Sequence, residues 1–264
     1  MKSLGAAALL VLTTSGAAAK AEKSIKAARA WQNGDLTPEC TVSPPQRPSR
    51  PKKPELLPPG QMPRRRGGKE KKNRIALLHA IAHIELNAID LAWDMIARFG
   101  HGMPREFLDD WVMVGADEAR HFTLLAARLR GLGASYGDLP AHDSLWQAAQ
   151  KTSGDLLARL AVVPLVLEAR GLDVTPGMIK RLEGFGDAET AAILKTIYQD
   201  EIGHVRAGAR WFMRLCEARG LKPEITFQSL VKTHFSGTLK PPFNILARSK
   251  AGLPETFYSP IAEK

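Results

Sequence analysis

Two Glu-x-x-His tetrads constrain this chain more than any other feature: Glu118 to His121 in DEARH, and Glu201 to His204 in DEIGH. On a helix, positions i and i+3 share a face, so each tetrad offers a carboxylate and an imidazole to one point. Each tetrad also has a partner glutamate at the same distance upstream. Glu85 lies 33 residues before Glu118, and Glu168 lies 33 residues before Glu201. Both partners fall in otherwise apolar stretches, AHIELNAI and VPLVLEARG. An ionised glutamate is seldom buried unless it is paired or bound to metal. Four glutamates held together would repel and hold their protons more tightly, and two divalent cations would offset that repulsion. A tetrad alone is weak, because a solvated salt-bridging face gives the same pattern. The matched spacing of all six residues carries the reading.

The pattern around these residues is helical. RIALLHAIAHIELNAIDLAWDMIARF runs from Arg74 without Pro or Gly until Gly100. A second helix begins near Pro104 and ends in the glycines of RGLG, so a short connection makes the two antiparallel neighbours. The spacing predicts a third long helix over 154–171, kinked or bulged at Pro164, which frees the carbonyl of Leu160. Gly171 is expected to end it, and Thr175 to cap a short helix starting at Pro176. Asp187 is expected to cap the fourth long helix, which ends at Gly220. The expected organisation is an all-α chain in three parts: an arm over 1–73, a four-helix bundle over 74–222 and a helical tail over 223–264.

Charge separates the arm from the rest. Residues 1–74 carry 16 Lys/Arg against 5 Asp/Glu, while the remaining residues carry 21 against 22. The prolines of 37–68 forbid regular helix and favour an extended strap, either mobile or laid along the bundle. The basic run PRRRGGKEKKNR has the charge to meet RNA or an acidic surface, but it lacks interleaved aromatics, and a solvated linker is the favoured reading. The first 19 residues resemble a secretory signal or, the favoured reading, a helix continuing through AEKSIKAARAW with Ile25 and Trp31 packed on the body. No stretch approaches the roughly 20 apolar residues of a membrane span. Cys40 and Cys216 have no metal-ligand spacing and read as small apolar side chains or free thiols.

One Glu from each of two helices plus Glu-x-x-His from the other two is the ligand set of ferritin-like di-iron or di-manganese bundles, which this chain resembles. Nearly the whole chain is similar to the bacterial ferritin-like family known as domain of unknown function 455. The strings that carry the resemblance include RPSRPKKPELLPP, PREFLDDW, DEARHF, YGDLPAHDSLW, VPLVLEARGLDVTP, DEIGHV and LKPPFN. The resemblance implies metal ligands Glu85, Glu118, His121, Glu168, Glu201 and His204. Glu118 and Glu201 are expected to bridge the metals and act in catalysis, with His121 and His204 terminal. Asp117 and Asp200, each preceding its motif glutamate, are candidates to orient a liganding imidazole.

The wider superfamily includes ferritins, rubrerythrins, ribonucleotide reductase small subunits and a tRNA-modifying hydroxylase. The expected cofactors are therefore two iron ions, or a manganese–iron pair, with dioxygen as co-substrate. The expected activity is oxidation or hydroxylation of a small-molecule or RNA substrate in the cytoplasm, fed by an electron donor. Iron handling, tRNA hydroxylation and a non-catalytic interaction role are the alternatives. His79 and His83, an i, i+4 pair, are turned away from Glu85 and are expected at an interface with the arm or a neighbouring helix rather than at a metal. Tyr198, one turn before Glu201, reads as a core tyrosine with a satisfied hydroxyl or as a redox group near the metals.

Overall fold

The computed structural model describes residues 2–63 and 68–263. Its regular structure is all helical. Among the described residues there is no β-strand, and three isolated bridges join Ser3 to Thr37, Leu56 to Ala141 and Leu239 to Ala262. The arginines of the basic run, 64–66, lie outside the described residues. The chain divides into two compact units, Met1–Trp146 and Gln147–Lys264.

The first unit contains α1 (Leu4–Leu12), α2 (Ala17–Gln32), α3 (Lys71–Phe99) and α4 (Arg105–Gly131); α5 (Ser144–Lys151) spans the boundary. The expected single N-terminal helix is two. Thr13 and Thr14 turn their hydroxyls back onto the carbonyls of Leu9 and Leu10, at 2.7 and 2.6 Å, and Gly16 opens α2. Such local bonds compete with helix continuation. Trp31 is buried as expected, whereas Ile25 is only half-buried.

Helices α2, α3 and α4 meet at one hydrogen-bonded point. Trp93 Nε1 donates to Ser24 Oγ at 2.7 Å, and Ser24 donates onward to the carbonyl of Gly115 at 2.6 Å. A Cβ at Gly115 would stand 2.7 Å from Trp93 Nε1, so only glycine lets the indole lie against α4. The proline-rich strap is laid along this unit. The N–H groups of Leu4 and Gly5 at the start of α1 donate to the carbonyls of Thr37 and Glu39, and Trp146 Nε1 donates to Gln46. Inside the unit, Lys20 is wholly buried and pairs with Asp90, whose other oxygen lies 2.8 Å from Arg50 Nε of the strap. Burial pushes Lys20 down and Asp90 up, and each opposite charge works against that shift.

The second unit corrects the expected third helix. A helix α6 (Leu156–Val162), capped by Asp155, passes into a π-helical turn over Val163–Glu168 and then into α7 (Ala169–Gly184). The π turn answers Pro164, which cannot donate to Leu160, so the bulge falls where the sequence places it. Gly171 does not end the helix, and Thr175 caps no new one: α7 runs unbroken through Pro176. The carbonyl of Leu172, which Pro176 leaves without its helical donor, accepts instead from Asn244 Nδ2 at 3.1 Å.

Asp187 caps α8 (Ala188–Ala218) by accepting from the Thr190 N–H at 3.1 Å, and Gly220 follows with φ +63°. The tail forms α9 (Pro223–His234), α10 (Ile245–Lys250) and α11 (Glu255–Tyr258), two helices more than the sequence pattern indicates. It is fixed by Arg248, which grips Asp173 with two bonds of 2.8 and 2.7 Å and lies over the rings of Phe243 and Tyr258.

The expected lack of any span-like stretch needs one correction. α3 is long and apolar enough to cross a bilayer by length and composition, and 67% of its most apolar stretch is buried. Burial of that kind is what a core helix also shows.

Candidate metal centre

Glu85 sits on α3 within a run that is buried almost all round, from Leu86 and Ile89 to Trp93 and Ile96, and is itself 3% exposed. On α4, Glu118 and His121 stand one turn apart and are completely buried. His121 Nδ1 lies 3.1 Å from Glu85 Oε2 and 3.4 Å from Glu118 Oε2, so the imidazole bridges the two carboxylates. Burial raises the Glu85 carboxyl well above the usual carboxylate range. The Glu118 charge adds to that, and the His121 hydrogen bond opposes it.

In the second unit the other tetrad has the same form. His204, on α8, is completely buried, and its Nδ1 is 3.7 Å from Glu201 Oε2. Glu168 is the last residue of the π turn, so the bulge at Pro164 sets its direction.

Within the first unit, Glu85, Glu118 and His121 form a buried group able to hold a metal ion: each offers one ligand atom, and these atoms all lie within 4.8 Å of one another. On α8, 13% of the Glu201 side chain is exposed. Oxygen and imidazole nitrogen donors without thiolate suit iron or manganese, and buried carboxylates of this density call for a cation.

The remaining sequence candidates have definite surroundings. Asp117 accepts from Arg120 Nη2 at 2.8 Å on the surface of α4. Tyr198 accepts from Asn244 Nδ2 at 3.0 Å, so its hydroxyl is tied to the tail. His79 and His83, expected against the arm or a neighbouring helix, meet the loop over 136–142. His79 Nε2 accepts from the Gly137 N–H at 2.9 Å. His83 Nε2 faces the carbonyl of His142 at 3.0 Å and so carries its proton, and Nδ1 accepts from Tyr136 Oη at 2.8 Å. Burial lowers His83 to about 4.

Tyr136 is the residue that sequence reasoning missed. It stacks on both histidines and meets Phe122, the residue after His121, edge-on at 5.2 Å. It thereby braces the helices that carry Glu85 and His121. The only local signal was its place in the string YGDLPAH.

No solved structure matches the chain. An uncharacterized protein of Haemophilus influenzae is 41% identical over 208 residues, covering 76% of this chain and 72% of the relative. Residues 13–259, a stretch containing all six candidate ligands, match the family described as protein of unknown function (DUF455), and the chain belongs to that family.

Proposed function

We propose that the protein is a ferritin-like dinuclear carboxylate oxidoreductase, with residues 74–222 as its four-helix bundle, 1–73 as an arm and 223–264 as a tail. The observation that carries this reading is the buried group of Glu85, Glu118 and His121, with ligand atoms within 4.8 Å of one another. Glu85, Glu118, His121, Glu168, Glu201 and His204 would hold two iron ions, or a manganese–iron pair. When bound, the metals supply the electrons that reduce dioxygen for oxidation or hydroxylation of a substrate.

The chain's own groups define the rest. Four carboxylates balance the charge of two divalent ions, so the loaded cluster is near neutral in a buried setting. Glu118 and Glu201 would serve as the bridging, catalytic carboxylates by analogy with ferritin-like di-iron proteins, and each shares a helix face with its histidine. His121 and His204 would be terminal ligands and would have to be neutral to bind metal. Asp117 and Asp200 are assigned to hold a liganding imidazole in one tautomer. A small-molecule or RNA substrate and an electron donor come from outside the chain, in the cytoplasm.

The test is anaerobic loading with Fe(II) followed by exposure to dioxygen. This reading expects dioxygen uptake with an optical change from the iron. Loaded protein that neither consumes dioxygen nor changes its spectrum would rule the redox reading out.

A further inference from the structure

A cavity of about 220 Å³ lies in the first unit, against a face of α3 that does not carry Glu85. Ala76, Ala80 and Ile84, four residues apart along that helix, form one wall, and Leu139, Pro140 and Leu145 form the facing one. Glu85 stands five residues beyond Ala80, roughly 140° further round α3 at 100° per residue. The cavity therefore does not open onto the metal ligands, and its occupancy is independent of theirs.

Three features define what the cavity accepts. Its volume exceeds the roughly 150 Å³ in which an apolar protein cavity holds benzene. No Asp, Glu, Lys or Arg lines it among the described residues, so a charged ligand would be desolvated without a counter-charge. The two ring nitrogens of His83 are committed to Tyr136 and the His142 carbonyl, and His79 Nε2 is committed to the 137–139 backbone. The His79 and His83 rings stack on Tyr136, His142 also lines the cavity, and the Asn73 amide in the lining offers an NH2 donor and a carbonyl acceptor.

We propose that this cavity is a binding site for a small neutral molecule, aromatic or comparably apolar, up to the size of indole and carrying a single polar group. The faces of the histidines and the aliphatic walls take the ring, and Asn73 meets the polar atom. Ile84, 45% exposed, stands at the mouth and offers apolar surface to an entering ligand. Mostly apolar lining with few fixed polar groups is the usual make-up of such sites.

Titration of the full chain with indole, followed by the imidazole resonances in NMR spectra, tests the proposal. Saturable shifts with Kd below about 1 mM are expected. Indole-3-acetate and tryptamine, the same ring with a negative or positive group, should bind at least about 10-fold more weakly. Ala80→Trp, which fills the cavity, should weaken indole at least about 10-fold with the fold intact by circular dichroism. No saturable shift, equal binding of the charged analogues, or full binding by folded Ala80→Trp would overturn it. If Ala80→Trp does not fold, the comparison of indole with its charged analogues on the natural chain decides alone.

Discussion

Gly208 of α8 passes so close to Pro164 that a Cβ added to it would lie 2.5 Å from the proline Cβ and 2.6 Å from its Cγ. The proline ring is rigid and buried and cannot swing aside. Gly208→Ala is therefore expected to destabilise the protein by about 1–3 kcal/mol, the usual cost of overpacking. Urea denaturation of the variant beside the natural chain measures it, and an unchanged midpoint would refute the close approach.

Asp90 is the counter-ion of a lysine with no exposed surface. Asp90→Ala leaves Lys20 and Arg50 buried without their anion, and breaking such a pair costs about 3–5 kcal/mol. Asp90→Glu, by contrast, keeps a carboxylate for both cations and should lose less. Thermal unfolding of the two variants separates the cases.

Cys40 is 3% exposed, and burial, helped by the Glu39 charge, raises its thiol from 9.0 to about 11. At pH 8 the folded chain should hold about 100-fold less thiolate at this position than the unfolded chain, and alkylation by iodoacetamide should slow at least that much. The effect on stability has a definite sign. The thiol's contribution is fully present below pH 9 and is lost as pH rises from 9 towards 11, because only the unfolded chain then sheds the proton. Rapid labelling of Cys40 in native buffer would contradict this packing.

Glu85 holds its carboxyl among buried groups that disfavour its charge. Glu85→Gln should raise the urea midpoint of metal-free protein at pH 7, since the amide carries no charge to desolvate. The same variant should bind Fe(II) or Mn(II) at least about 100-fold more weakly, as loss of a ligand exceeds the effect of losing an outer-shell partner. Opposite signs for stability and metal affinity are the outcome to look for. A variant that is less stable without metal and unchanged in affinity would assign Glu85 to structure alone.

How far the sequence reaches depends on whether the deciding contact is local. Helices α3, α4 and α8 are legible because their periodicity is unbroken and their ends carry glycine or an Asp187 cap. The facing of Glu118 with His121, and of Glu201 with His204, is legible for the same reason, since one helical turn fixes it. The π turn is legible from Pro164, because the donor it removes is known from the residue alone. Pro176 misleads, because the group that satisfies the Leu172 carbonyl is Asn244, far along the chain. Nothing near Lys20 announces Asp90, and nothing near His83 announces Tyr136, so both pairings needed the fold.

The metal centre is tested most directly by the metal content of protein purified without chelator or added metal, followed by anaerobic Fe(II) titration of the natural chain and Glu118→Ala. A dinuclear site should hold two iron or manganese ions per chain at saturation and, in Glu118→Ala, less than one. A natural chain that arrives without transition metal and takes up none, or a variant that fills as the natural chain does, would refute it.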